Sequence, residues 1–197
     1  MARVRVLLLC GGRASRYGAD KLLVPVRRGE STLPMAAAAA RSAVEGAGNA
    51  LAVIPPGSQL RGILDREGCE IHESAATARG IGASLAAGAS ATPDADGWIV
   101  ALGDMPFIEP ATFAAVLASL RSGALIAAPV LRATNARGHP VGFSRGLRDE
   151  LLAIDGDEGA RSILSSHRDR IALIPVDDRG VVQDIDTPGD LAAATSG

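Results

Sequence analysis

Apolar and polar residues alternate along the chain in blocks whose lengths suit strands and helices in turn. Short apolar runs bounded by Gly, Pro or Asp are typical of buried strands, and longer Ala- and Leu-rich segments are typical of helices. The strands predicted in the first two-thirds of the chain cover residues 3–10, 50–54, 69–73, 98–102 and 124–129. The helices predicted between them cover residues 33–47, 58–67, 81–91 and 110–121.

This alternation predicts an α/β fold with an open, mostly parallel sheet and helices on both faces. Ligands of such folds bind beyond the carboxyl ends of the strands. The last third of the chain is less regular. Its pattern predicts a strand at 139–143, helices at 144–154 and 159–167, a C-terminal hairpin of strands 171–177 and 181–185, and a final helix from Thr187-Pro188.

The loop after the first predicted strand is rich in glycine and positive charge. Residues 10–21 read Cys-Gly-Gly-Arg-Ala-Ser-Arg-Tyr-Gly-Ala-Asp-Lys. Glycines let backbone N–H groups approach an oxyanion, and Arg16 and Lys21 can neutralise phosphate oxygens. The spacing fits neither a Walker A loop nor a dinucleotide fingerprint. The loop therefore predicts a triphosphate site of another kind, and the alternative is a flexible connection with incidental charges.

Composition narrows the class of partner. The chain has 197 residues, 47% hydrophobic and 21% charged, which predicts a single globular domain over residues 1–197. A net charge of −2 and only five aromatic residues favour a small-molecule partner over nucleic acid. The longest uncharged stretch, 80–93, is too short to span a bilayer, so no membrane partner and a cytoplasmic location are expected. Cys10 and Cys69 are expected to be buried thiols.

Three aspartates are candidate metal ligands. Asp104 follows the predicted strand at 98–102, and Asp184 and Asp186 form a D-x-D sequence at the end of another predicted strand. Residues two apart on a strand share a face, so both carboxylates can approach one cation, and hard oxygen ligands suit Mg²⁺. A second interpretation makes Asp186 the N-cap of the final helix and leaves Asp184 solvated.

Six short motifs, in order, resemble those of the nucleotidyltransferases that modify molybdopterin, namely the molybdenum cofactor cytidylyltransferases and their guanylyltransferase relatives. The first, at 9–18 with Lys21, resembles the family signature L-A-[AG]-G-x-S-x-R-[MF]-G…K. The others lie at 80–85 (Gly-Ile-Gly-Ala-Ser-Leu), 102–107 (Leu-Gly-Asp-Met-Pro-Phe), 137–141 (Arg-Gly-His-Pro-Val), 156–161 (Gly-Asp-Glu-Gly-Ala-Arg) and 184–188 (Asp-Ile-Asp-Thr-Pro).

The resemblance implies a three-layer α/β/α Rossmann-like domain that transfers NMP from an NTP to the phosphate of molybdopterin with Mg²⁺ and releases pyrophosphate. Its implied residues fall into four sets. The catalytic residues would be Arg16, Lys21 and Asp104, and the metal ligands would be Asp104, Asp184 and Asp186. The nucleotide would contact Cys10, Gly11, Gly12, Arg13, Arg16, Lys21, Gly80, Ser84 and Asp104. The acceptor would contact His139, Pro140 and Asp157.

The resemblance leaves the base and the acceptor open. Gly11-Gly12 is similar to the guanylyltransferase version of the loop, whereas the later motifs favour the cytidylyl side, so CTP is favoured over GTP. An acceptor molybdoenzyme or its chaperone is a further implied partner. There are two alternatives. The acceptor is another small phosphorylated molecule, such as a sugar phosphate or a phospholactate-like compound, or the protein is a carrier that binds a nucleotide or cofactor without turnover. His139 has either an acceptor-binding or a structural role.

Overall fold

The computed structural model describes residues 3–11 and 21–195, and within them strands and helices alternate as the sequence predicts. The strands are β1 (Val4–Leu9), β2 (Pro25–Arg28), β3 (Ser31–Pro34), β4 (Leu51–Ile54), β5 (Glu70–Glu73), β6 (Gly97–Leu102), β7 (Ile126–Leu131), β8 (Ala136–Arg137), β9 (Val141–Ser144) and β10 (Ile171–Val176). The helices are α1 (Met35–Ala47), α2 (Leu60–Arg66), α3 (Ile81–Ala91), α4 (Pro110–Arg121), α5 (Arg148–Leu152), α6 (Arg161–Ser166) and α7 (Pro188–Thr195).

Eight of these strands form one mixed sheet in the order β10-β7-β9-β6-β1-β4-β5, with β8 beside β7. Strand β9 runs antiparallel to β6 and β7, β8 runs antiparallel to β7, and the other neighbours are parallel. Strands β2 and β3 form a separate hairpin. The predicted fold class, a mostly parallel α/β sheet, is confirmed.

The sheet has an apolar layer on each face, which follows from the alternation of side chains along a buried strand. In β1, Val6 and Leu8 pack with α1, α2 and α4, whereas Leu7 and Leu9 pack with α3, α5 and α6. Helix α1 presents a run of buried alanines to its layer, and such small side chains allow a close approach to the sheet and to α4. The result is the three-layer α/β/α arrangement.

Two predicted elements differ from the structure. Residues 171–176 do form a strand, β10, but it pairs in parallel with β7, and residues 179–182 form a 3₁₀ turn, so the predicted C-terminal hairpin is wrong. Residues 33 and 34, predicted as the start of the first helix, belong to strand β3 instead, and Pro34 is the N-cap of α1.

Among the residues described, none of the helices combines the length and hydropathy of a membrane-spanning segment.

Candidate active site

The carboxyl ends of β1 and β6 lie side by side because their registers coincide from Val4 opposite Gly97 to Leu9 opposite Leu102. Cys10 and Gly11 therefore emerge next to Gly103 and Asp104. The backbone is tightly packed here, since a Cβ on Gly103 would lie 2.8 Å from Cys10 Sγ. The Cys10 thiol is part of the core, and Cys69 is buried as well, as predicted.

Lys21, Asp104 and Asp186 meet at this edge. The Lys21 Nζ donates to Asp104 Oδ2 at 2.8 Å and to Asp186 Oδ1 at 2.6 Å. The three side chains come from positions up to 165 residues apart in the chain. The structure thus brings two of the three candidate metal ligands to one cationic group.

The segment that carries Asp186 is held against Asp104 by its backbone. Ile185 N–H donates to the Asp104 carbonyl at 3.0 Å, and the Ile185 side chain is buried. Further upstream, the buried Asp178 carboxylate accepts from Gly180 N–H at 2.9 Å and from Glu109 N–H at 2.8 Å. The chain from 178 to 186 therefore crosses the carboxyl ends of the strands as a fixed strap.

The cap of helix α7 leaves the Asp186 carboxylate available for Lys21. Asp190 accepts from Thr187 N–H at 2.7 Å, and Thr187 Oγ1 accepts from Asp190 N–H at 3.2 Å. Hydrogen bonds from Thr187 lower the pKa of the Asp190 carboxyl. This reciprocal pair is a capping box. Thr187, not Asp186, is therefore the N-cap.

The charges of the cluster reinforce one another. Burial lowers the pKa of Lys21, but the hydrogen bonds that Lys21 donates to Asp104 and Asp186 and the charges of both carboxylates outweigh this effect, so the net pKa is raised. Lys21 is thus a firmly protonated ammonium at neutral pH.

The donor set fits a divalent cation in its chemistry. Asp104 Oδ1 is buried and has no hydrogen-bond partner among the residues described, so one carboxylate oxygen is available next to the ion pairs of Lys21. Within 3–11 and 21–195 no three His, Cys, Asp or Glu side chains gather closely enough to hold an ion by themselves. A cation there would share Asp104 and Asp186, and Asp184 is exposed nearby.

His139 lies close to this cluster. Burial lowers the pKa of His139. A hydrogen bond to the Val100 backbone and the negative charges of Asp104 and Asp184 raise it, but by less. Its Nδ1 is buried and has no partner among the described residues. The backbone N–H of His139 donates to the Val181 carbonyl at 2.8 Å, and Pro140 is buried behind it. His139 therefore belongs with Asp104 and Asp184, and its role stays a prediction.

Gly11 leads into a cavity of about 530 Å³ at the start of helix α3. A Cβ on Gly11 would lie 2.8 Å from Thr77 Cβ and 3.0 Å from Ser84 Oγ, so only glycine fits. Ser84 is buried and donates to the Gly80 carbonyl at 2.9 Å. The cavity is lined by Gly11, Pro55, Thr77, Ala78, Arg79, Gly80, Ile81 and Asp157.

Gly80 and Asp157 lie close to each other in the lining of that cavity. Gly80 has a φ of 126°, a conformation that favours glycine, and its Cα faces Asp157 Oδ1 and the Gly156 backbone so closely that no Cβ fits. The Gly82 N–H donates to the Gly156 carbonyl at 2.8 Å. The sequence motifs at 80–85 and 156–161 are therefore one structural unit.

A second cavity, of about 190 Å³, lies on the α3 side of the sheet and shares Ile81 and Asp157 with the first. His139 and Arg161 also line it. Thr77, Arg79 and Leu164 also line these cavities, and no sequence motif singles them out because they contribute by position and not by a characteristic chemistry. The predicted contacts Gly12, Arg13 and Arg16 lie outside the described residues.

The comparisons with known proteins agree with this geometry. Residues 6–171 match the model of the MobA-like NTP transferase domain. Nicotine blue oxidoreductase of Paenarthrobacter nicotinovorans is 28% identical over 201 residues, covering 92% of this chain and 91% of that protein.

Solved structures show the same fold. Rv0371c from Mycobacterium tuberculosis has a TM-score of 0.83 at 26% identity, covering 100% of this chain and 98% of that one. A structure of the same mycobacterial protein is a complex with manganese, with a TM-score of 0.79 at 24% identity over 100% and 99% of the two chains. Molybdopterin-guanine dinucleotide biosynthesis protein A from Archaeoglobus fulgidus has a TM-score of 0.64 at 20% identity, over 96% of each chain, a likeness of fold.

The fold and the family match define this protein as a nucleotidyltransferase. This chain belongs to the MobA-like NTP transferase family. The family resemblance that the six motifs predict is confirmed.

Proposed function

We propose that this protein is a divalent-cation-dependent nucleotidyltransferase that moves NMP from an NTP, with CTP favoured, to the phosphate of a molybdopterin-type acceptor. One observation carries the proposal: Lys21 joins Asp104 to Asp186 at the strand ends, directly beyond the strand that leads into the glycine loop. At this edge the ammonium can bind the triphosphate while the two carboxylates bind its cation.

The reaction needs alignment and neutralisation of charge. An oxygen of the acceptor phosphate attacks the α-phosphorus, a new P–O bond forms, the bond from the α-phosphorus to the bridging oxygen breaks, and pyrophosphate leaves with that electron pair. Because a phosphate monoester is largely dianionic at neutral pH, its oxygen attacks without prior loss of a proton to the protein. No general base is required of His139.

The residues divide this work. Lys21, with Arg16, would neutralise oxygens of the triphosphate, and Gly11 and Gly12 would let backbone N–H groups approach it. Asp104 and Asp186, with Asp184, would hold Mg²⁺ or Mn²⁺, which when bound supplies positive charge for the phosphate oxygens. The solved complex of the mycobacterial protein with manganese supports the use of a divalent cation.

The cavity at the start of α3 suits the nucleoside. It adjoins Gly11 and is lined by residues 77 to 81, and the hydrogen bond from Ser84 to the Gly80 carbonyl holds this segment in place. The Arg-Gly-His-Pro-Val and Gly-Asp-x-Gly-Ala-Arg motifs favour CTP over GTP. The acceptor contacts would come from His139 and Asp157 on the other side, with Pro140 supporting His139.

Release of pyrophosphate tests the proposal. The protein is incubated with CTP, GTP, ATP or UTP, Mg²⁺ or Mn²⁺, and molybdopterin, and pyrophosphate and the dinucleotide product are quantified. With CTP we expect pyrophosphate and the dinucleotide in equal amounts, and with GTP we expect less of each. Neither product should form without the cation. If no combination releases pyrophosphate, the proposed transfer to molybdopterin is wrong.

Two further arms separate the alternatives. A panel of sugar phosphates in place of molybdopterin identifies another phosphorylated acceptor, and NTP binding without turnover in every arm indicates a carrier. Because one relative is named an oxidoreductase, oxidation of NADH and NADPH in the presence of a quinone-like dye is also measured. The glycine loop lacks the G-x-G-x-x-G spacing of dinucleotide sites, so we expect no oxidation of either cofactor.

A further inference from the structure

The Lys21 ammonium lies between two of the carboxylates that are candidate cation ligands. Its Nζ is 2.8 Å from Asp104 Oδ2 and 2.6 Å from Asp186 Oδ1. The side chains of Lys21 and Asp104 are mostly buried, so water screens their contact less than it screens an ion pair on the surface. Lys21 therefore holds two of the oxygens that a divalent cation would use.

A divalent cation cannot bind these carboxylates without disturbing Lys21. Mg²⁺ binds oxygens at about 2.0–2.1 Å, so an ion on Asp104 Oδ2 and Asp186 Oδ1 would stand where the ammonium lies. Asp104 Oδ1 is buried and has no partner among the residues described. An ion on that oxygen would lie next to the ammonium, and like charges repel strongly in a partly buried site. In both positions the cation and the Lys21 ammonium compete.

The Lys21 side chain can leave the carboxylates while its backbone stays in place. Lys21 opens the 3₁₀ turn Lys21–Leu23, and its carbonyl accepts from Val24 N–H at 3.1 Å. Leu22 and Leu23 pack against the core. The ammonium, however, is a point charge on a flexible four-carbon stem. A change of side-chain rotamer is therefore enough to move it.

A triphosphate is the ligand that would draw the ammonium away. Lys21 is the last residue of the glycine-rich segment 10–21, so a triphosphate bound by that segment brings its negative charge close to this side chain. A lysine ammonium is a common phosphate binder. Once Lys21 turns to the phosphates, the charges of Asp104 and Asp186 are no longer neutralised, and both carboxylates can bind a divalent cation.

We propose that Lys21 blocks the cation site: its ammonium occupies the carboxylates of Asp104 and Asp186 until a triphosphate binds it, so that the divalent cation binds tightly only together with the nucleotide. By linkage, the nucleotide and the cation raise each other's affinity by the same factor. The competition between Lys21 and the cation follows from the contacts alone, whereas the release of Lys21 by a triphosphate rests on the proposed function.

Binding of Mn²⁺ without nucleotide tests the competition. Free Mn²⁺ is measured by electron paramagnetic resonance during titration of the parent and of Lys21→Met, which keeps the length of the side chain and removes its charge. We expect Lys21→Met to bind one Mn²⁺ at least tenfold more tightly than the parent. Equal affinities of the two proteins overturn the proposal.

Two controls locate this effect. Arg27→Met removes the same charge from an exposed position and should leave the Mn²⁺ affinity unchanged, and an equal gain in this variant would reduce the effect to net charge. Asp104→Asn, added to Lys21→Met, should abolish the gain, and a gain that persists would place the ion elsewhere. Either contrary result contradicts the proposal. Circular dichroism checks the fold, and Lys21→Gln replaces Lys21→Met if that variant does not fold.

The release of Lys21 by a triphosphate has its own readout. The nitrogen-15 resonance of the Lys21 ammonium is followed by NMR, with EDTA present, while the non-hydrolysable α,β-methylene analogues of CTP and GTP are added. We expect this resonance to shift with a triphosphate analogue and not with CMP or GMP, which lack the two outer phosphates. Calorimetry under the same conditions measures binding.

The outcomes separate this inference from the proposed function. An analogue that binds but leaves the Lys21 resonance unchanged overturns the release of Lys21. If neither analogue binds, with or without Mg²⁺, the proposed function fails. Tighter Mn²⁺ binding by Lys21→Met would still support the competition between Lys21 and the cation in that case.

Discussion

At the scale of single residues, the site depends on opposite charges held close together. Lys21 and Asp104 are 15% and 23% exposed, whereas Asp186 is 46% exposed. The contact with Asp104 is therefore less screened by water than that with Asp186. Asp104 also has a second, unpartnered oxygen. It is the residue on which we expect the chemistry to depend most.

Asp104→Asn should reduce transfer of the nucleotide at least about 100-fold, because it removes a carboxylate that stabilises charge at the reacting phosphates. The melting temperature should change little, since the amide keeps the shape of the side chain. The measurement is pyrophosphate release under saturating CTP and cation. Asp149→Asn is the matched control, since Asp149 is 100% exposed. Equal activity in both variants would contradict the assignment of Asp104.

Cys69 makes a prediction about alkaline pH. Burial raises the pKa of this thiol from 9.0 to about 12. Above pH 9 the unfolded chain therefore loses a proton that the folded chain retains, and the stability falls as pH rises toward 12. The slope from this one group approaches about 1.4 kcal/mol per pH unit.

Urea unfolding of the parent and of Cys69→Ala at pH 8 and at two values between 9 and 12 measures this slope. The variant should show a flatter decline of the free energy of unfolding. Parallel curves would mean that the thiol ionises equally in both states.

At the scale of elements, the start of α7 decides what Asp186 can do. Thr187 and Asp190 satisfy the first N–H groups of the helix, which leaves Asp186 for Lys21. The Thr187-Pro188 start is predicted from the sequence. The identity of the capping residue is not, because Asp, Thr and Ser are all good caps and neighbouring candidates compete.

Thr187→Val should destabilise α7 by about 1 kcal/mol, since it removes the hydroxyl that accepts from the Asp190 N–H while nearly keeping the volume. Hydrogen exchange at the Leu191 amide, which donates to the Thr187 carbonyl, reports on this local stability. Transfer activity should fall less than in Asp104→Asn. Unchanged exchange at Leu191 would show that the capping box contributes little.

The predicted C-terminal hairpin shows how an apolar pattern misleads about partners. Residues 171–176 have the composition of a strand and form one, but they pair with β7 along the sheet edge. The Asp178-Arg179-Gly180 turn signal is real and is stabilised by the Asp178 carboxylate on Gly180 N–H. The chain after it leaves the sheet and crosses the strand ends.

At the scale of the whole molecule, Asp178 fixes the strap that carries Asp184 and Asp186. The Asp178 side chain is 7% exposed and accepts from Thr112 Oγ1 at 2.6 Å, in addition to the N–H groups of Glu109 and Gly180. It thereby joins the start of α4 to the strap. Gly180 packs on the backbone of Phe107, where no Cβ fits.

Asp178→Ala should lower the free energy of unfolding by about 2–3 kcal/mol, because it leaves three donors without their acceptor. It should also lower kcat/KM for the NTP, since the strap no longer holds Asp186 firmly at Lys21. Chemical denaturation and steady-state kinetics measure the two effects. Asp177→Ala, at a position 87% exposed, is the control and should change neither. Equal stability of the two variants would contradict a fixed strap.

The sequence by itself determined the alternation of strands and helices, the glycine loop and the motifs that mark the family. These are local properties: a period of two or of 3.6 residues, a run of glycines, and short motifs that need no knowledge of neighbours. Lys21 and Asp104 could also be chosen as candidate site residues from the sequence, because each lies within such a motif.

Only the tertiary structure decided which carboxylate meets Lys21, that β10 pairs with β7, and that an apolar cavity opens beside His139. The contact between Lys21 and Asp186 spans 165 positions, and the cavity is what several elements leave unfilled where they meet. Pairings of this kind depend on packing among all the elements at once, so no local pattern of residues encodes them.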